Sequence, residues 1–144
     1  MSDKMRTFDS GATRNVDDEK IDYEGFLSPW VIRRYGNYMH SHRIQADGKV
    51  RDSDNWQRGL PPDVYIKSLL RHALDAWSIC RGLRTFDTKD GHEVDIEEAL
   101  CGIIFNASGY LHEHLKAKEE QKNADITVMK AIDKTLNDFT GGLQ

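Results

Sequence analysis

Between Asp95 and Ala117 the residues Ile96, Leu100, Ile103, Ile104, Ala107, Leu111 and Leu115 recur at helical spacing, and no strand-like alternation competes with them. An apolar stripe of this kind has to be covered, so the rest of the chain is read for helices that could cover it. The spacing predicts one from about Asp63 to Arg81, where Ile66, Leu69, Leu70, Ala73, Leu74, Trp77 and Cys80 make a broad face and Gly82 is a natural stop. A helix is also predicted from Ser28-Pro29, with a capping hydroxyl followed by proline at the first helical position. It runs through Trp30, Val31, Tyr35, Tyr38 and Met39 to His40, His42 and Arg43, cations that suit a helix C-terminus. A last helix carries Ile126, Met129, Ile132 and Leu136 beyond the charged stretch KAKEEQKNAD, which reads as a break. With no internal repeat, this predicts an all-α fold, a helical bundle of about four helices.

At about 150 residues per domain, 144 residues make one core. The expected organisation is a polar N-terminal arm over 1–24, a helical core over 25–120, and a C-terminal helix and tail over 121–144. The connection QADGKVRDSDNWQRGLPP is long for a small domain, and it carries Trp56, which a solvated linker has no need of. Cys80 and Cys101 lie in apolar helical patterns without CxxC spacing, so buried free thiols are expected. A net charge of −4 speaks against a nucleic-acid partner. No apolar leader core and no window near ~18 apolar residues is present, so the expectation is a cytoplasmic protein without a membrane partner.

The chemistry should sit off the apolar stripes. Ser68, His72, Asp75 and Ile79 fall within about 60° of one another, as polar company on a mostly apolar helix. On the next helix Asp95, Glu98, Gly102, Asn106 and Gly109 share a sector about 80° wide, opposite the stripe. If the two strips face each other, His72, Asp75, Asp95, Glu98 and Asn106 meet in one cleft. Carboxylates so gathered are most easily held by a divalent cation, and oxygen ligands with retained waters suit Mg2+. The structural alternative is that Asp95 caps the helix with Glu98 as capping-box partner. Gly102 and Gly109 each cost ~1 kcal/mol inside a helix, which points to close packing or room for a ligand. His40/His42 and His112/His114 are rejected as metal pairs, because residues two apart on a helix diverge. P-loop, dinucleotide-binding, α/β-hydrolase and zincin motifs are absent.

The strings FDSGATRN, DEKIDYEGFLSP, RRYGNYMHSHR, DNWQRGLPPDVYIKSLLRHALDAW and EEALCGIIFNASGYLHE resemble a phage-borne family of dATP/dGTP diphosphohydrolases. That family is in turn similar to the MazG-like all-α nucleoside triphosphate pyrophosphohydrolases. The resemblance runs from about Phe8 to Glu113, and its most specific pieces are Ser10-Gly11-Ala12-x-Arg14, Asn55-Trp56-x-x-Gly59, Arg71-His72 and Asn106. It implies a commonly oligomeric bundle whose helix carboxylates hold Mg2+, or Mn2+ in its place, while a triphosphate is cleaved between its α and β phosphates. The MazG pattern pairs ExxE with ExxD, and here His72-x-x-Asp75 and Asp95-x-x-Glu98 stand in their place.

The expectation is therefore a Mg2+-dependent, purine-preferring (deoxy)nucleoside triphosphate pyrophosphohydrolase, homo-oligomeric and in the host cytoplasm if phage-encoded. His72, Asp75 and Glu98 are its candidate catalytic residues, with Asp75, Asp95 and Glu98 as metal ligands. Asn55, Trp56, Lys67, Arg71 and Asn106 are the substrate-binding candidates, Trp56 as a platform for the base. The rival expectation is a non-catalytic phage accessory or interaction protein on the same helical scaffold, which the missing ExxE favours.

Overall fold

The computed structural model describes residues 5–15 and 20–141. Positions 1–4 and 16–19 of the expected arm, and the tail from 142, lie outside the described residues. The chain divides into two units, 1–33 and 34–144.

In the first unit β1 (Met5–Thr7) and β2 (Thr13–Asn15) pair antiparallel, Met5 opposite Asn15 and Thr7 opposite Thr13. Gly11, at φ 81°, makes the turn between them, and its N–H donates to the Phe8 carbonyl. The expected arm thus contains a small hairpin. A single turn, α1 (Tyr23–Phe26), is capped by the Asp22 carboxylate, which accepts from the Gly25 N–H at 2.9 Å.

α2 (Pro29–Ser41) opens at the predicted serine and proline, and from Arg34 onward it belongs to the second unit. After it, Ile44 and Val50 form an antiparallel bridge around Gly48, and Asn55–Arg58 make one 3-10 turn. α3 (Pro62–Cys80) ends at Gly82, which takes φ 76° as the C-terminal reading requires. A second bridge, Phe86 to Glu93, precedes α4 (Ile96–Gly141). The molecule is mostly helical, with the hairpin as its one sheet among the described residues.

Two expectations need correction. The charged stretch KAKEEQKNAD does not interrupt the helix, and the predicted third and fourth helices are one helix of 46 residues. Lys, Glu, Gln and Ala are all good helix formers, and Lys122 pairs with Glu119 one turn away, so loss of the apolar pattern does not end the helix. Cys101 is buried as expected, whereas Cys80 is exposed at the end of α3.

The packing of α3 on α4 follows from two glycines. A Cβ on Gly102 would stand 2.6–2.7 Å from the His72 ring, and one on Gly109 would meet the ring of Tyr65. The paired positions shift by seven residues in opposite directions on the two helices, so α3 and α4 cross antiparallel in a heptad register. The buried seam comprises Tyr65, Ala99 and Asn106 together with the two glycines, and Cys101 is buried on the side of α4 nearer Arg34 and Tyr38. The apolar stripe expected to form the core is instead largely outside it: Leu70, Leu74, Trp77, Leu100, Leu111 and Leu115 are exposed. Without Cβ atoms at 102 and 109, the helices approach on their polar, small-residue faces, and the apolar faces are left over.

Candidate functional site

The sequence placed His72 and Asp75 on one strip and Asp95, Glu98 and Asn106 on another. The α3–α4 register brings these strips together, His72 lying on Gly102. His72 is half-buried, and burial lowers its pKa, helped by the neighbouring Arg71 cation, while Asp75 and Glu98 act in the opposite direction. Its Nδ1 is buried and has no hydrogen-bond partner. Both carboxylates are therefore close enough to His72 to influence its charge.

The two carboxylates of α4's first turn have visible tasks. Asp95 Oδ1 accepts the Glu98 N–H at 2.8 Å, a side-chain cap on an otherwise free helix donor. The reciprocal half of a capping box is absent, because both Glu98 oxygens face His92 Nε2 at 3.0 Å. His92 in turn meets Asp90 through Nδ1 at 2.6 Å. Held between two carboxylates, with the Asp90 hydrogen bond contributing most, the imidazole pKa is pushed up to about 9. His92 is thus the cation that neutralises Glu98, a role that sequence reading missed. The clue available there was Asp90-Gly91, which turns the chain back toward the helix start.

Among the described residues one group brings three ligating atoms within 4.8 Å of one another: Asp87, Asp90 and His92. It lies in the connector ahead of α4, two of its three members are exposed, and none is a predicted ligand. Asp75, Asp95 and Glu98 do not form such a group.

The substrate-binding candidates divide. Asn106 is buried and donates from Nδ2 to the Gly102 carbonyl at 2.8 Å, which ties it to its own helix. Lys67 pairs with Asp63 at 3.1 Å, and Arg71 reaches Ser68 Oγ at 3.4 Å, both on exposed α3 surface. Asn55 and Trp56 line a cleft of about 940 Å3 beneath the long loop, with Arg43, Arg51, Arg58 and Lys89 on its walls. Arg43 is fixed by donating from Nε to the Arg51 carbonyl at 2.6 Å. Trp56 is steadied edge-on by His112, ring centroids 4.8 Å apart. Behind it Gly59, at φ 87°, lets the turn sit against the Glu113 carboxylate, whose Oε1 is buried and unpartnered. The sequence marks Arg43 only as a helix-end cation, the length of the loop is the one signal for Arg51, and none points to Lys89, which comes from the connector after α3.

Tyr38 and His42 belong to the cleft and lie within electrostatic reach of the strips. Both line the cleft, their rings 4.0 Å apart, and His42 Nδ1 contacts the Tyr38 carbonyl at 2.8 Å. Burial pushes the Tyr38 hydroxyl up to about 12, with the Glu98 charge adding to it. His42 in turn adds to the electrostatic surroundings of His72. The Arg34 to Glu97 ion pair, 2.6 Å, holds α2 to α4 beside them.

Comparison with family models, with curated proteins and with solved structures finds no match to this chain. No described helix is long and apolar enough to cross a membrane.

Proposed function

We propose that the chain is a divalent-cation-dependent nucleoside triphosphate pyrophosphohydrolase of the MazG-like all-α kind, with preference for purine (deoxy)nucleotides such as dATP and dGTP. The observation that carries this reading is a basic, tryptophan-bearing cleft whose lining residues Tyr38 and His42 lie within electrostatic reach of Glu98 and His72 on the polar strips. About 940 Å3 is at the upper end of the range of ligand pockets and has room for a nucleoside triphosphate. In it Trp56 supplies a flat face for a base, Asn55 hydrogen-bonding capacity, and Arg51, Arg58 and Lys89 positive charge for phosphates.

The residues fit a hard cation in part. Asp75 and Glu98 offer oxygen donors within electrostatic reach of His72, whose Nδ1 is unpartnered, but these ligating atoms do not gather within 4.8 Å of one another, and Asp95 has one oxygen engaged in its cap. The chemistry Mg2+ or Mn2+ supplies when bound is an acidified water and a counter-charge for the phosphates. On this reading Asp75 and Glu98 would hold the ion, which would require Glu98 to give up its contact with His92. His72, neutral near pH 7 because its pKa is lowered, accepts a proton or orients a water from the strip. The apolar faces of α3 and α4 left exposed at Leu70, Leu74, Trp77, Leu100 and Leu111 suit a second copy that would complete a four-helix core.

The test is pyrophosphate release from the four dNTPs and four NTPs with Mg2+ and then with EDTA. EDTA-sensitive release confined to purine nucleotides is the expected result, and Glu98→Ala should abolish it. Asp75→Asn should weaken the Mg2+ titration, and an unaltered titration would remove Asp75 from the site. A specific observation also favours the scaffold reading: Glu98 and Asp95 are each engaged in local structure. Folded protein that releases no pyrophosphate from any nucleotide would decide for a non-catalytic interaction protein.

A further inference from the structure

We infer that the C-terminal half of α4 is a self-association element, its occupant being the same segment of a second copy of this chain. The α3–α4 register places the first residue of α3, Pro62, opposite about His112, so beyond that point α4 no longer faces α3. Every residue from His114 to Thr140 is exposed. About 27 residues of helix, roughly 40 Å, therefore run without cover from the described residues.

That length is amphipathic. Met129, Ile132, Leu136 and Phe139 follow one another three or four residues apart along one side, widened by Ile126 and Val128. Met129 is 65% and Phe139 75% exposed, and Val128, Ala131, Ile132, Thr135 and Leu136 line a shallow apolar groove. Several polar residues of this half are bonded within the helix: Gln121 to Asp125, and Thr127, Thr135 and Thr140 to carbonyls one turn back. An isolated helix with such a stripe is not stable by propensity alone and calls for a partner surface.

Two observations select a second copy. From Ile126 to Gly141 the charges are Lys130 and Lys134 against Asp133 and Asp138, a net of zero, so like copies do not repel. A membrane-surface helix or a nucleic-acid arm would instead carry an excess of lysine and arginine on its polar face. The exposed parts of the six apolar side chains amount to roughly 700 Å2 per copy, about 1,400 Å2 for a pair, within the range of stable interfaces. The inference is independent of the nucleotide chemistry and holds equally for an enzyme or a scaffold.

The experiment is sedimentation equilibrium of the full chain and of the double variant Ile132→Glu, Leu136→Glu over a range of concentrations. The expected result is a variant mass lower by a factor of two or more. Association through the α3–α4 faces would persist in that variant and be lost in Leu74→Glu, which separates the two surfaces. Hydrogen exchange on the unmodified chain is the second readout. Amides of residues 122–140 should be protected at high concentration and lose protection on dilution. Equal masses for the two proteins, or amides unprotected at every concentration, would overturn the inference. A chain of unchanged mass whose C-terminal half binds phosphatidylserine vesicles would also overturn it and make lipid the occupant.

Discussion

The two halves of α4 share one backbone and similar periodicity but have different environments. From Ile96 to Glu113 the helix is set into α3 by Gly102 and Gly109, and it holds the buried residues Ala99, Cys101 and Asn106. From His114 to Thr140 it holds none. Helical periodicity therefore reports which side of a helix is apolar, not which side is covered. In the first half the face of closest approach is the polar, glycine-bearing one, and the apolar stripe on its other side remains available.

Tyr65 offers the largest test of that difference. It is fully buried against Gly109, and its hydroxyl has no well-formed hydrogen bond. Tyr65→Ala should cost about 3–5 kcal/mol in urea unfolding, as for other large buried aromatics. Tyr65→Phe should stay within about 1 kcal/mol of the parent, because the hydroxyl it removes is unpaired. By contrast Leu136→Ala, at a concentration low enough to keep copies apart, should change stability by no more than about 0.5 kcal/mol. A large loss at Leu136 in dilute protein would mean that the second half of α4 is covered by its own chain.

Gly102 comes next. Alanine in a helix interior gains ~1 kcal/mol over glycine, so Gly102→Ala would stabilise an open helix. Here the added methyl meets the root of the His72 ring, which cannot swing aside without moving α3. Overpacking typically costs about 1–3 kcal/mol, and we expect a net loss of about 1–2 kcal/mol by thermal or urea unfolding. Stabilisation would show that the helices are not in close contact at this crossing. Asp95→Ala removes the cap on Glu98 N–H and should cost about 1 kcal/mol, with early fraying visible in hydrogen exchange only at the start of α4.

Much of this organisation was legible in the sequence. Ser28-Pro29, Gly82 and the stripe of α3 located helix ends and faces, because capping and φ preferences are local properties. Gly102 and Gly109 stood out as costly, and their reason, close approach to His72 and Tyr65, is visible in the packing. The continuity of α4 was hidden because a polar stretch of helix formers looks like a connection when hydrophobic period is the guide. The cleft was only partly legible: the loop length and Trp56 marked it, while Arg43, Arg51 and Lys89 are brought there by the bridges at Ile44–Val50 and Phe86–Glu93. Engagement of Glu98 by His92 depends on a turn six residues upstream, which no helical wheel displays.

The smallest effect expected is the dependence on pH that His92 confers on the packed half of α4. With its pKa raised from the ordinary 6.5 to about 9, the folded chain holds a proton there that the unfolded chain has released. The stabilisation is thus complete below about 6.5 and is lost as pH rises through about 9, when the ion pairs to Asp90 and Glu98 end together. Melting temperature should fall between pH 7 and pH 10 in the parent, and less steeply in His92→Ala. Because His92 is anchored to the first turn of α4, faster exchange should begin at Ile96 and its neighbours and leave residues 122–140 as they were. Identical pH slopes in parent and variant would mean that the proton on His92 does not hold this end of the helix, and that the Asp95 cap alone fixes where α4 begins.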